Sequence, residues 1–332
     1  MLPQKNNQTP SIEKLLDQLK PRLKEAGFRS LDDLVLKGAT AISQSTGLDL
    51  KICQNICDKA GHRLAQQTVP HERIRLASDV HKRSVNMEAI STGSYNLDSL
   101  FGGRGIEIGA VTQFYGQPAS GKTQLCHCLS TIVPQSKLYG GLIAKALYID
   151  TEGTFRSERI QEIAEARGFD LDQTFNNIMV ADVHSVREQE AAVNEAESIV
   201  IPQNIKLLLV DSIIDHYKAE YPERSMLAER QHKINVIMHL LQKIARTHKI
   251  AVVIINQVQF EPDNYRLEPI LLGGNVLAHA STHIISFRLS GRYRRTAKIV
   301  KSPSYPQEDA RFSLCEKGIA DPEEEGVRYS QK

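Results

Sequence analysis

The spacing of apolar residues changes character along this chain. From Ser11 to about Leu64 it is helical: Ile12, Leu15, Leu16 and Leu19 form one set, and Phe28, Leu31, Leu34 and Val35 a second. Ile52, Cys53, Ile56 and Cys57 form a third beyond the tight turn Thr46-Gly47-Leu48-Asp49. This pattern predicts a small helical bundle over 11–64, preceded by a polar, disordered tail at 1–10. Periodicity fades over 65–88, where Pro70, Arg73, Arg75, Lys82 and Arg83 surround one short sticky segment, Ile74-Arg75-Leu76-Ala77; this reads as a linker. From 89 to 322 apolar strand-like runs alternate with helical patterns. The predicted strands are Ala110–Tyr115, Ala146–Ile149, Ile178–Ala181, Leu207–Val210, Ala251–Ile255, His283–Leu289, Ala297–Val300 and Arg311–Leu314; helices are expected near Ser157–Arg167, Val186–Ile199 and Leu227–His248. Alternation of this kind builds an α/β core with a mostly parallel twisted sheet covered by helices. The last strands have no helices between them, which predicts an antiparallel edge. Residues 257–275 read as a long loop, and 323–332 as an acidic, flexible tail.

The candidate chemistry starts at Gly116-Gln117-Pro118-Ala119-Ser120-Gly121-Lys122-Thr123, which satisfies every fixed position of the phosphate loop G-x-x-x-x-G-K-[ST]. The preceding run reads as a buried strand and the following one, through Gln124, as a helix start, the context this motif requires. Glycines let the backbone turn so that its N–H groups face a polyphosphate at a helix N-terminus. Lys122 is placed to reach the phosphates and Thr123 to hold Mg2+. Leu207-Leu208-Leu209-Val210-Asp211 ends an apolar strand in an acid, suited to holding Mg2+ through water. In Tyr148-Ile149-Asp150-Thr151-Glu152-Gly153, Glu152 either activates an attacking water or caps the next helix. Ile254-Ile255-Asn256-Gln257 ends another strand in two amides able to exchange hydrogen-bond partners with the nucleotide state.

Composition narrows the field. The 332 residues suffice for about two domains. A net charge of +2 supplies no global attraction for nucleic acid, so any such contact must come from local patches. The candidates are Arg224, Arg230, Lys233, Arg266 and Arg292-Tyr293-Arg294-Arg295, the last also readable as a solvated hairpin turn. Tyr221, Phe260 and Tyr265 are placed to stack on bases. The five cysteines make no disulfide framework, and Cys126 and Cys128 read as core residues rather than metal ligands. No stretch nears the roughly 18 apolar residues of a membrane span and the first ten residues are polar, so a soluble, intracellular protein is expected.

Several blocks then match one family. Gly116–Cys128, YIDTEGTFRSERI (148–160), LLLVDS (207–212), RSMLAERQ (224–231), INQVQ (255–259) and GGNVLAHAS (273–281) resemble the archaeal RadA recombinases and their eukaryotic counterparts, over about Ile90 to Asp321. The resemblance implies a RecA-type P-loop ATPase core with an N-terminal helix-hairpin-helix-like domain. It implies ATP and Mg2+ as cofactors, single- and double-stranded DNA as partners, self-association into a helical filament or ring, and strand exchange as the activity. It implies an archaeal cytoplasm, or a nucleus if eukaryotic. It makes Glu152 the catalytic carboxylate, Gln257 the γ-phosphate sensor, Arg159 the residue packing on adenine, and His279 a residue reaching a neighbour's nucleotide. Arg224 and Arg230 fall in its first DNA loop, and 257–275, with Arg266, in its second.

Three departures stand out. The family's Phe-x-x-Ala polymerisation motif is here Ile74-Arg75-Leu76-Ala77, so docking through Ile74 and Ala77 is expected to be weaker by about 1 kcal/mol. Leu16-Asp17-Gln18-Leu19-Lys20-Pro21 replaces a glycine-rich hairpin, which predicts weak duplex binding by the small domain. Lys301 stands where the family carries an Asp; it either takes the place of a monovalent cation and supplies charge to a neighbour's ATP, or is a solvated lysine. These departures keep open a second reading, a nucleotide-binding paralogue that loads or regulates the true recombinase.

Overall fold

The structure is a computed structural model that describes residues 19, 21–28, 30–67, 76–85, 87–259, 270–271 and 273–322. It comprises two units, Met1–Val85 and Asn86–Lys332. Ile74 and Arg266 lie outside the described residues, as do Phe260, Tyr265, most of the segment 16–21 and the two tails.

In the small unit, α1 (Leu31–Thr46) opens on a capping box: Asp33 N–H donates to Ser30 Oγ at 3.1 Å, and Ser30 N–H to Asp33 Oδ2 at 3.0 Å. Gly47 ends it at φ 66°, and the helix is interrupted at Gly38, φ 77°. Its partner α2 (Leu50–Gln67) packs against it through Leu34, Ile42, Cys53, Ile56 and Ala60, with Leu23 and Phe28 completing the core. Val35, expected inside, faces out. A third helix, α3 (Ala77–Val85), lies in the stretch read as linker. Leu76 through Lys82 are exposed, so no apolar stripe betrays this helix in the sequence.

The large unit begins with β1 (Ala89–Ile90), α4 (Tyr95–Ser99), β2 (Ile106–Glu107), β3 (Val111–Gly116), α5 (Lys122–Ile132), β4 (Lys145–Asp150) and α6 (Ser157–Arg167). It continues with α7 (Leu171–Phe175), β5 (Ile178–Asp182), α8 (Val186–Ile199), β6 (Ile205–Asp211), α9 (Asp215–Glu220) and α10 (Leu227–His248). The last part holds β7 (Ala251–Gln259), β8 (Ile270–Leu271), α11 (Gly274–Ala280), β9 (His283–Leu289), β10 (Arg294–Lys301), β11 (Asp309–Cys315) and β12 (Gly318–Ala320). The main sheet runs β12-β11-β10-β9-β3-β7-β6-β4-β5. Every pairing from β9 to β5 is parallel, and those from β9 outward to β12 are antiparallel, as the helix-free spacing of the last strands predicts. The central strands are mostly apolar because both faces are covered: Leu207, Leu208, Leu209 and Val210 in β6 are fully buried. Phe287 packs edge-on against Phe114, centroids 5.1 Å apart, and lies 4.9 Å from Phe312.

Two features differ from the sequence expectation. Gln257 does not open a loop; β7 continues to Gln259 and pairs with β8 (Val258↔Leu271, Gln259↔Ile270). The stretch that the resemblance assigns to a first DNA loop is helical, with Arg224 in a 3-10 turn (Arg224–Met226) and Arg230 in the first turn of α10. Elements of two to seven residues, such as β1, β2, β8, β12, α4, α9 and α11, are too short to leave a readable period. Parallel register does the remaining work: it sets Gly116 opposite Gln257, and Asp150 opposite Asp211.

Candidate nucleotide site

Gly116 ends β3 where a side chain cannot go: a Cβ there would lie 2.3 Å from the Phe287 carbonyl oxygen and 2.8 Å from Ser120 Oγ. Gly121, φ 101°, opens α5 as its N-cap, and Ala119 takes φ 62°. Lys122 folds back over the loop, donating from Nζ to the carbonyls of Gly116 (2.9 Å) and Gln117 (3.1 Å). Those bonds use two of its three N–H groups. Burial pushes its pKa below the ordinary lysine range, while Asp211 and Glu152 pull it back up. Ser120 Oγ is buried with no hydrogen-bond partner. A buried hydroxyl with no protein partner inside a glycine-lined turn fits a loop shaped to take a phosphate oxygen.

The acidic wall comes from β4, β6 and β7. Asp211 is buried and accepts from Tyr148 Oη at 2.9 Å; burial raises its pKa, with Tyr148 and Thr123 hydrogen bonds opposing. A hydroxyl, Thr123, beside a carboxylate, Asp211, is the hard-oxygen donor set that suits Mg2+. Asp150 shapes the turn that presents Glu152, accepting from the N–H groups of Glu152 (3.2 Å), Thr154 (3.1 Å) and Phe155 (2.8 Å). Thr151 ties the strand ends together, donating to the Ser212 carbonyl at 2.9 Å and accepting from Ser212 N–H at 2.6 Å. The Glu152 carboxyl meets Gln257, whose Nε2 donates to Glu152 Oε1 and to Asp215 Oδ2, both at 3.0 Å. Burial of that carboxyl, a hydrogen bond with the Asp215 carboxyl and the charges of Asp215 and Asp211 raise the Glu152 pKa to about 7, against the Gln257 hydrogen bond. A carboxyl so tuned accepts a proton near neutral pH, which a helix-capping Glu has no need to do.

Several supporting residues escaped the sequence reading. Asp150 and Asp215 carried no motif that marked them in the chain. His127, on α5, accepts from Arg156 N–H at 3.0 Å, and burial lowers its pKa to about 4, keeping it neutral. Arg295 is only 6% exposed and donates to the Ala119 carbonyl from Nε (3.2 Å) and Nη2 (3.0 Å), bracing the phosphate loop. That removes it from the run Arg292–Arg295 as a DNA contact. Lys233 is likewise engaged, 3.8 Å from Glu190 and over the Tyr221 ring.

The remaining predicted residues are dispersed. Arg159 donates to Gln124 Oε1 at 2.7 Å and to the carbonyl of Cys315, beside the first turn of α5. Arg230 donates to the Tyr221 carbonyl at 3.0 Å. His279 is exposed near the end of α11. Lys301 is neither solvated nor extended outward: its Nζ donates to the carbonyls of Ala278 (2.7 Å), Ser281 (2.8 Å) and His279 (3.3 Å), closing the end of α11. Cys126 and Cys128 are buried and free, as expected of core residues. Among the described residues no cluster of three metal-ligating side chains occurs, and no helix is long and apolar enough to cross a membrane.

The fold and this edge together define a phosphate-loop ATPase: a parallel sheet with strand–loop–helix at its centre and acids at the carboxyl ends of the neighbouring strands. The chain belongs to the Rad51 family of RecA-like recombinases, whose family model matches residues 82–322. The DNA repair and recombination protein RadA of Cenarchaeum symbiosum (strain A) is 39% identical over 306 residues, spanning 92% of this chain and 77% of that protein.

Proposed function

We propose that this protein is an ATP-dependent DNA strand-exchange recombinase that assembles on single-stranded DNA and uses ATP binding and hydrolysis to switch its grip. The observation that carries this reading is the convergence of Lys122, Thr123, Asp211, Glu152 and Gln257 on one sheet edge in a chain of this family.

In this reading the loop N–H groups of 116–123 and Lys122 hold the β- and γ-phosphates of ATP. Thr123 and Asp211 hold Mg2+, which when bound neutralises phosphate charge. Glu152 takes a proton from the attacking water as the oxygen bonds to the γ-phosphorus and the bond to ADP breaks. Arg159 packs on the adenine, and His279 faces a neighbouring subunit. The intact acid–amide cluster favours a hydrolysing recombinase over a regulator that only binds nucleotide. Electron microscopy with single-stranded DNA and ATP, followed by joint-molecule formation, tests this. Long filaments with strand exchange support it, and nucleotide binding without either refutes it.

Arg224, exposed, and Arg230, half-buried and bonded to the Tyr221 carbonyl, are the arginines of the segment assigned to the first DNA loop. Replacing both with Ala is expected to abolish stimulation of ATP hydrolysis by single-stranded DNA while DNA-free hydrolysis stays unchanged. An undiminished response to DNA refutes that assignment. Lys301 places an ammonium on three carbonyls, the role a monovalent cation would otherwise serve. In wild type, hydrolysis should therefore be indifferent to exchange of sodium for potassium. Lys301→Ala should become potassium-dependent and lose about ten-fold in sodium, the equivalent of one charge-assisted hydrogen bond. Potassium dependence already present in wild type sinks the idea.

A further inference from the structure

Gln257 is committed in a way the proposed mechanism does not require. A side-chain amide nitrogen carries two N–H donors. One goes to Glu152 Oε1 and the other to Asp215 Oδ2, each at 3.0 Å. Both donors are spent on carboxylates of its own chain, so a γ-phosphate oxygen can be recognised by Gln257 only if one of these bonds is given up.

The two bonds are not equivalent. Glu152 is the proton acceptor of the proposed reaction and gains from being held in place. Asp215 heads α9, outside the phosphate loop and the metal-holding strand end. Its Oδ2 accepts a second hydrogen bond, from Ser212 Oγ at 2.7 Å. When Gln257 leaves, that oxygen keeps a partner, and its release costs less than leaving a carboxylate oxygen bare. Ser212 directly follows Asp211 and is itself pinned through its N–H to Thr151 Oγ1 at 2.6 Å. The acceptor is therefore held at a fixed position on the strand end and competes with the nucleotide for one amide.

Resting on the hydrolytic role proposed above, we infer that Asp215 is a positioning residue of the ATPase: it holds the Gln257 amide in a resting arrangement that the γ-phosphate must displace. Nucleotides without a γ-phosphate leave this bond intact, so breaking it is a cost borne by ATP and not by ADP. The latch thus costs ATP some of its affinity, spares ADP, and holds the Gln257 amide in the resting arrangement until a γ-phosphate arrives.

The test is steady-state hydrolysis without DNA, with ATP and ADP affinities measured separately on Asp215→Ala, Asp215→Asn and Glu152→Gln. A hydrogen bond to a charged acceptor is worth about ten-fold in an equilibrium, so Asp215→Ala is expected to lower the KM for ATP about ten-fold and leave the Kd for ADP unchanged. Asp215→Asn, which keeps shape and an acceptor but loses the charge, moves KM in the same direction by about three-fold, on the weaker neutral bond. An unchanged or raised KM in the Asn variant, or an equal shift in ADP and ATP affinity, overturns the inference. If Glu152→Gln hydrolyses ATP like wild type, the underlying reading of the site fails instead, so the two failures are distinct.

Discussion

Replacing Glu152 with Gln is expected to cut ATP hydrolysis by about 10²–10³-fold while leaving ATP binding within a few-fold of wild type. The substitution removes one of the two carboxylates that accept from the Gln257 amide and keeps a side chain of the same size. Asp150 still shapes the turn, because its three acceptor bonds are to backbone N–H groups of Glu152, Thr154 and Phe155, which the change does not touch. The same carboxyl sets the pH profile. Its pKa is raised to about 7, and only the ionised form takes a proton from water. The kcat/KM for hydrolysis should therefore rise as pH increases from 6 to 8, with about a tenth of the carboxyl ionised one unit below its pKa and about nine-tenths one unit above. The acid limb should vanish from the residual rate of the Gln variant. A variant that binds ATP and hydrolyses it at the wild-type rate removes Glu152 from catalysis.

The second large effect is at Gly116. Adding a single methyl, Gly116→Ala, puts a carbon 2.3 Å from the Phe287 carbonyl oxygen. That oxygen cannot give way cheaply: Phe287 pairs with Gly116 in the parallel ladder between β9 and β3, and its ring is wedged between Phe114 and Phe312. The loop must move instead, and it is the loop that holds phosphate. ATP affinity is expected to fall by about 100-fold or more, equivalent to about 2.7 kcal/mol or more. Overpacking of this kind costs about 1–3 kcal/mol of stability. Isothermal titration with a non-hydrolysable ATP analogue measures the first effect and thermal melting the second. Near-wild-type affinity in Gly116→Ala means the loop does not grip the nucleotide as its closeness to β9 implies.

The two effects differ in how visible their causes are in the chain itself. The phosphate loop, its flanking strand and helix, and the acid at the end of Leu207–Asp211 are local. Each is written in a run of fewer than fifteen consecutive residues whose backbone conformation follows from glycine placement and apolar spacing. The helices Ser157–Arg167, Val186–Ile199 and Leu227–His248 and the strand His283–Leu289 coincide with their predicted limits, because each carries several periods of its pattern.

What surrounds those motifs was settled by residues far apart in sequence. Arg295 looks like part of a basic surface run until the β9–β10 turn folds it against Ala119, 176 positions away. Lys301 reads in the chain either as a stand-in for a monovalent cation or as a solvated lysine until β10 brings it under the last carbonyls of α11. Asp215 carries no signal in the chain until β6 and β7 align and deliver Gln257 to it. The sequence by itself determined the kind of nucleotide grip, since a phosphate loop is a short-range backbone device. Only the tertiary structure decided which charges are free and which are spent, because an ion's partners are chosen by the strand order of the sheet.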